Sequence, residues 1–321
     1  MILVTGAAGF IGSCLVRKLN DEGHRNLVLS DQFNRSDRKR NLTDKGFIAQ
    51  VDRGELFEWL DRFGDGISFV YHIGARTDTT EKSKAIFDQL NLEYSKQLWA
   101  FCRENNIPFM YASSAATYGL GELGYTDSHD IVNDLKPLNP YGDSKNDFDK
   151  WLLQQNHSDA YWAGFKFFNV YGPNEFHKGR MASVIFHTFN QIQKTGGMKL
   201  FRSHRSDVED GQQQRDFIYV KDLVDVLYFF YESRRPSGLY NLGTGQARSF
   251  YDLAAQTFIA MDKTPNISFI DTPEDIRDTY QYFTEADMSK LVSVGYNKAF
   301  TSLEDGVNAY VKEHLLPNDV W

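Results

Sequence analysis

The chain alternates short runs of consecutive apolar residues with longer stretches in which apolar residues recur every three or four positions. Ile2-Leu3-Val4, Leu27-Val28-Leu29-Ser30, Phe69-Val70-Tyr71-His72-Ile73 and Phe109-Met110-Tyr111-Ala112 are runs of the first kind. Unbroken apolar runs bounded by turn residues read as strands buried on both faces, as in a parallel sheet. Ile48 to Val51 and Phe165 to Asn169 read as two more strands. Between the strands, Ile11, Leu15, Val16 and Leu19, and later the residues from Ala85 to Glu104, keep helical spacing. Strands alternating with helices at this length predict an α/β fold, a right-handed, Rossmann-type doubly wound parallel sheet.

Pro137-Leu138-Asn139-Pro140 breaks the chain before a helix opening at Tyr141. Arg215 to Val220 reads as a strand feeding a helix over Asp222–Glu232, and Tyr240-Asn241-Leu242 as a strand leading into Gly243-Thr244-Gly245. Ser249 is placed to cap a helix over Phe250–Met261. The polar stretch from Ser203 to Gln214 predicts a mobile surface loop. A short strand, an aromatic segment around Tyr280–Phe283 and two helices close the chain. This order predicts a dinucleotide-binding domain over 1–168, with 213–242 returning to it. A smaller mixed α/β substrate domain takes 169–212 and 243–321, interleaved with the first.

With 321 residues, 41% hydrophobic and 15% aromatic, the chain can build one large or two intimate domains. A net charge of −8 and a pI near 5.5 argue against nucleic acid or another polyanion as partner. No apolar run is long enough for a membrane span, and the first residues enter a strand directly, so neither a span nor a signal peptide is expected. Cys14 and Cys102 both fall in expected helices among apolar residues; two cysteines exclude a disulfide framework and a zinc site. No metal is expected, and the compartment expected is the reducing cytoplasm.

Candidate chemistry lies at the strand ends, where ligands of such a sheet bind. Gly6-Ala7-Ala8-Gly9-Phe10-Ile11-Gly12 follows the first strand and opens a helix. Gly6 permits a tight turn, Gly9 lets backbone approach a pyrophosphate, and Gly12 allows close helix–strand packing. The helix N-terminus offers free N–H groups and a positive dipole end to the phosphates. Asp31 ends the second strand, where an acid binds a ribose 2′-hydroxyl and favours NAD. Arg35, Arg38, Lys39 and Arg40 follow, a cluster able to hold a 2′-phosphate or simply a solvated basic loop. These residues leave NAD and NADP both open. Asp52 is placed near the adenine, and Gly74-Ala75 lets a cofactor pass close to a strand end. Asn91 falls on the cofactor side, and His72 reads as structural. Ser114, at the end of the fifth strand, is able to bond a substrate hydroxyl, although Ser-Ser there is also an ordinary turn. Tyr141 and Lys145 are one helical turn apart, so the ammonium is expected to lower the phenol from its usual value near ~10. With 17 tyrosines in the chain, that spacing alone is weak evidence. Lys178, Arg180, His187 and Arg215 add positive charge suited to a nucleotide diphosphate.

Together with the glycine turn and Tyr141-x-x-x-Lys145, four segments carry a family resemblance: Tyr111-Ala-Ser-Ser-Ala-Ala-Thr-Tyr-Gly119, Phe168-Asn-Val-Tyr-Gly-Pro173, Arg215-Asp-Phe-Ile-Tyr-Val220 and Tyr240-Asn-Leu-Gly-Thr-Gly245. Over nearly its whole length the chain resembles the extended short-chain dehydrogenase/reductases that act on nucleotide sugars. Phe176-His-Lys-Gly-Arg-Met-Ala-Ser-Val-Ile-Phe-His187 and Tyr280-Gln-Tyr-Phe-Thr284 narrow the resemblance to the ADP-L-glycero-D-manno-heptose 6-epimerase family. That resemblance implies an ADP-heptose substrate, NADP as cofactor with NAD left open, a role in lipopolysaccharide inner-core synthesis, and a homo-oligomer, a pentamer in the family. It implies Ser114, Tyr141 and Lys145 as the catalytic triad and Lys178 as a second acid/base. It implies cofactor positions at Gly6, Gly9, Phe10, Ile11, Gly12, Asp31, Gln32, Arg38, Arg53, Ile73, Gly74, Ala75, Asn91, Lys145, Val170 and Lys178. Substrate positions are Ser114, Asn169, Arg180, His187, Phe201, Arg215 and Tyr280. Arg180 stands where better-known members have a serine, Arg53 replaces a lysine, and Phe201-Arg-Ser-His204 replaces an acidic, glycine-containing turn before a longer loop.

Three rival readings share parts of this pattern. A nucleotide-sugar 4-epimerase shares the triad but does not need His177-Lys178-Gly179. A 4,6-dehydratase supplies acids where this chain has Ala115, Ala116 and Thr117. A non-catalytic dinucleotide sensor commonly loses the tyrosine or the lysine, and both stand here.

Overall fold

The computed structural model of the protein describes residues 1–155, 160–277 and 280–321. Its strands are β1 (Ile2–Thr5), β2 (Leu27–Asp31), β3 (Ala49–Asp52), β4 (Phe69–His72), β5 (Phe109–Ser114), β6 (Trp162–Phe167), β7 (Asn169–Tyr171), β8 (Met198–Phe201), β9 (Gln214–Tyr219), β10 (Gly238–Leu242), β11 (Ala247–Ser249) and β12 (Ile267–Ile270). The helices that matter here are α1 (Phe10–Asp21), α2 (Leu56–Phe63), α3 (Lys84–Phe87), α4 (Tyr94–Glu104), α5 (Pro140–Leu153), α6 (Val184–Thr195), α7 (Val220–Ser233) and α8 (Phe250–Ala260).

Seven strands form one sheet in the order β10-β6-β5-β4-β1-β2-β3, with every pair parallel. The apolar runs read as buried strands because alternate residues serve opposite faces. Ile2 and Val4 join Leu15, Val16, Phe165 and Leu227 on the α1/α7 face. Leu3 joins Val28, Val70, Trp99, Phe109 and Phe148 on the other face. Burying each such side chain contributes roughly 1.5–3 kcal/mol, so both faces hold their helices firmly. Two smaller sheets, β11-β9-β7 and β12-β8, lie outside this one.

The run from Phe165 to Asn169 is not a single strand. β6 ends at Phe167, and the Phe168 N–H donates to the Leu242 carbonyl (3.1 Å). Asn169 then opens β7, paired with Phe217 of β9 in a different sheet. The helix expected from Ala85 starts one residue earlier and holds a π-turn at Asp88–Glu93 between α3 and α4. The capping expectation at Ser249 is met by a reciprocal box with Asp252. Residues 202–213 contain no regular element; Ser203 N bonds Asp210 Oδ1 (2.9 Å) across the loop. Among the described residues no helix is long and apolar enough to cross a membrane.

Candidate active site

The connections from β1 and β4, neighbours in the sheet, leave at its carboxyl edge, where the strand order reverses. Gly6 has φ +67°, and a Cβ there would stand 2.6 Å from the Gly74 Cα. A Cβ on Gly12 would stand 2.0 Å from the Gly6 carbonyl oxygen. The glycines thus let two backbone segments nearly touch and still leave a passage above them. Gly9 precedes α1 without any side-chain cap, so the first N–H groups of the helix face the passage unclaimed.

That passage is a cavity of about 490 Å³. Of the residues implied for a cofactor, Gly6, Gly9, Phe10, Ile11, Gly12, Asp31, Gln32, Arg38, Arg53, Ile73, Gly74, Ala75 and Lys178 line it. Arg180, implied for substrate, lines it too, beside His177 and Met181. Asn91, Lys145 and Val170 do not line it. The Asn91 side chain instead accepts from Arg76 N (2.8 Å) and donates to Arg76 O and Ser144 Oγ (both 3.0 Å), so it holds the cavity wall from behind. His72 is likewise structural, bonded to Thr5 (2.7 Å) and Ser95 (2.8 Å), and burial drives its pKa down to about 3.

Asp31 accepts from Ala8 N (2.9 Å) and Gln32 N (2.7 Å) and pairs with Arg38 (3.3 Å). Arg38 Nε is buried with no hydrogen-bond partner among the described residues. Arg35 and Arg53 line the same end of the cavity, whereas Arg40 lies over the Phe176 ring (4.2 Å) and bonds Asn318. A glycine cradle that a Cβ would fill, an uncapped helix start and an unpartnered buried guanidinium nitrogen fit a dinucleotide with its phosphates.

Asn139 caps α5 by accepting from Gly142 N (2.9 Å), and Pro140 occupies the first turn, so Tyr141 is presented at the start of the helix. Ser114 ends β5, its hydroxyl facing the Tyr141 phenol closely enough to act on its titration. The phenol is not lowered by Lys145. Burial raises its pKa, and only the Ser114 hydroxyl pulls it back. Lys145 Nζ donates instead to the Ala112 carbonyl (2.7 Å), and burial brings its own pKa down to about 8, against the opposing charge of Asp149.

Lys178 sits on a 3₁₀ turn, Phe176–Met181, broken by Gly179 at φ +55°. Its Nζ lies 5.2 Å from the centroid of the Phe10 ring, above the glycine turn. Burial lowers its pKa, opposed by the nearby Glu175. Glu175 is buried and accepts from Ser183 N (2.5 Å) and Ser183 Oγ (2.6 Å), anchoring the far end of the turn. No motif or periodicity marked Glu175 or the cavity-lining Arg76.

On the other side, Phe201 and Tyr280 meet edge-on at 6.4 Å, and the Arg215 guanidinium lies 5.7 Å from the Tyr280 ring. Arg215 is buried and bonds the carbonyls of Gln214 (2.8 Å) and Gln281. His187 reaches the Arg180 carbonyl (3.4 Å) rather than this cluster, and Asn169 is exposed at the start of β7.

A doubly wound sheet with a glycine cradle at its switch point and a Ser–Tyr–Lys set beside it defines a nicotinamide-dependent α/β protein. Residues 2–243 match the model of the NAD dependent epimerase/dehydratase family, and the chain belongs to that family. It is 47% identical to the ADP-L-glycero-D-manno-heptose-6-epimerase of Fusobacterium nucleatum, with 99% of each chain covered. To the enzyme of the same name from Nitratidesulfovibrio vulgaris it is 45% identical, again over 99% of each. Among solved structures, the ADP-L-glycero-D-manno-heptose-6-epimerase of Helicobacter pylori superposes with a TM-score of 0.79 at 27% identity, covering 97% of this chain and 95% of that one. MoeE5 in complex with UDP-glucuronic acid and NAD gives 0.78 at 27% identity over 97% of each.

Proposed function

We propose that the protein inverts C6 of ADP-D-glycero-D-manno-heptose to give the L-glycero epimer, the heptose form used in the lipopolysaccharide inner core. The observation that carries the reading is a second acid/base candidate: Lys178 over the glycine cradle, in addition to Tyr141 beside Ser114. The C6 hydrogen has no neighbouring carbonyl to acidify it, so direct proton removal is too slow. When bound, a nicotinamide would supply reversible hydride transfer at C6. One of Tyr141 and Lys178 takes the C6 hydroxyl proton, the substrate aldehyde turns about C5–C6, and the other group returns a proton on the new face. Ser114 orients the reacting oxygen and tunes Tyr141. A simple reductase or a 4-epimerase needs only the tyrosine.

Phe201, Tyr280 and Arg215 form the nucleotide end of the site, with aromatic faces for the base and a guanidinium for the diphosphate. His187 and Arg180 flank the path between the two ends. NADP is the cofactor in this reading, with Arg38 and Arg53 taking the 2′-phosphate while the Asp31 charge is met by Ala8 N, Gln32 N and Arg38. The chain works as a homo-oligomer in the cytoplasm.

The test is to incubate purified protein with ADP-D-glycero-D-manno-heptose, without added cofactor, and follow C6 inversion by NMR. Interconversion of UDP-glucose and UDP-galactose alone would overturn the substrate. A Lys178→Met variant with full epimerase activity would overturn the two-base scheme.

A further inference from the structure

Asn174 is buried, yet its φ is +74°, a left-handed conformation that costs a non-glycine residue. Its side chain is fully engaged. Nδ2 donates to Ser13 Oγ (2.9 Å) and to the main-chain oxygen of Trp321 (3.0 Å), and Oδ1 accepts from Trp321 N (2.9 Å). Ser13 Oγ in turn donates to the Phe10 carbonyl (3.0 Å), and Phe10 is the residue whose ring Lys178 overlies. Asn41 closes the other side. Its Nδ2 lies within reach of the Ala8 carbonyl (3.0 Å), the Asn174 carbonyl (3.2 Å) and His177 Nδ1 (3.3 Å). Asn41 thus ties the glycine turn to the residue four before Lys178 and to the residue just before it. Asn41 Oδ1 is buried with no partner among the described residues, an arrangement that costs stability and calls for another reason to keep an asparagine there.

We propose that Asn174, with Asn41, is the positioning residue for Lys178: the pair locks the 3₁₀ turn to the glycine cradle so that the lysine Nζ is held over Phe10. Lys178 needs such a device. A flexible four-carbon stem on a turn interrupted by Gly179 has no register of its own, and misplacing an acid/base group by about 1 Å costs roughly 10²-fold in rate. Glu175 fixes the turn to Ser183, and Asn174 and Asn41 tie it by side-chain hydrogen bonds to α1 and the glycine turn. The proposal rests on the acid/base reading of Lys178, so its test has one arm that does not.

Asn174→Gly keeps the left-handed backbone and removes every side-chain bond. The expected result is a kcat lower by roughly ten- to a hundredfold with KM within about twofold of wild type. In a Lys178→Met background the same substitution should cost nothing further, because the two residues act as one unit. Additive losses, or an unchanged kcat, overturn the proposal. The independent arm is reductive methylation of the folded protein, with labelling at Lys178 read by peptide mass spectrometry. Asn174→Gly should label Lys178 several times faster and leave unchanged the lysines other than Lys45 and Lys221, which touch Trp321; equal labelling of Lys178 overturns the clasp whatever the reaction is. Faster labelling in a protein without epimerase activity faults the acid/base reading and leaves the clasp standing. If Asn174→Gly does not fold, Asn41→Ala removes the second half of the clasp and carries the same expectations in both arms.

Discussion

Asp149 lies one turn along α5 from Lys145, and its replacement makes the most sharply defined prediction. The carboxylate is fully buried. Oδ1 accepts from Tyr111 Oη (2.7 Å), and Oδ2 accepts from Ser113 Oγ (2.7 Å) and Lys166 Nζ (2.7 Å). Lys166 is buried as well, and its other bond goes to Thr117 Oγ1 (2.8 Å), which itself donates to the Ser114 carbonyl (2.8 Å). Every partner of Asp149 is a donor. An asparagine has one acceptor oxygen and one donor NH₂, so Asp149→Asn sets a donor against donors on one side and leaves the Lys166 ammonium without a counter-charge. Removing one member of a buried, hydrogen-bonded ion pair costs about 3–5 kcal/mol. That is a large share of a total stability of roughly 5–15 kcal/mol. At roughly 2 °C per kcal/mol for a chain of this size, the unfolding midpoint should fall by about 5–10 °C. Urea unfolding of wild type and variant measures the first number, and calorimetry the second. Removing both charges with Asp149→Leu and Lys166→Met should recover more than half the loss, because the penalty is the stranded ammonium and not a missing attraction. A single variant within about 1 kcal/mol of wild type, or a double variant less stable than the single, refutes the reasoning.

On the NADP reading, Arg38→Ser would remove a charge-assisted contact of about 1.5–3 kcal/mol, so the ratio of NADP to NAD affinity should fall by roughly ten- to a hundredfold in equilibrium binding; an unchanged ratio shows that Arg38 does not read the 2′-phosphate. Gly12→Ala drives a Cβ to within 2.0 Å of the Gly6 carbonyl, so the purified variant should carry no tightly held nucleotide after acid release, and retention of wild-type stoichiometry contradicts the packing. Lys145 titrates at about 8 in the folded chain against an ordinary 10.5. Between those values the unfolded chain binds the proton and the folded chain does not, so this residue makes stability rise with pH through that window. The difference in unfolding free energy between wild type and Lys145→Met should therefore be flat below pH 8 and climb above it, and a flat difference throughout refutes the burial effect.

Strands β1, β2, β4 and β5 could be read from the chain because burial on both faces leaves largely apolar runs. The glycine turn and the Tyr141–Lys145 spacing were legible because each is a local geometry written in a few consecutive residues. The division between β6 and β7 was not, because Phe167 and Asn169 part company only through their partners, Leu242 and Phe217, each tens of residues away. Lys166 inside an apolar run gave no sign that Asp149 neutralises it. No motif or spacing in the chain marks Asn174 or Glu175. Their work is done through Ser13, Trp321 and Ser183, contacts that no periodicity or short motif records.

The direction of the Tyr141 shift carries the most for mechanism. The spacing to Lys145 suggested a phenol eased toward its anion, but the ammonium is turned onto the Ala112 carbonyl, and burial decides the titration instead. Burial acts alike on all three groups and favours the uncharged form of each: the phenol goes up, and Lys145 and Lys178 go down. On the two-base reading this has a use. A phenol kept protonated is suited to give a proton, and an amine eased toward its free base is better able to accept one. Inversion exchanges those two states across the substrate, and the return reaction restores them. One forward turnover leaves the amine charged and the phenol ionised, so a proton must pass from the first to the second, directly or through solvent, before the next. On that reading burial pushes the two groups toward opposite proton-transfer roles, and Ser114 and Glu175 each moderate one side.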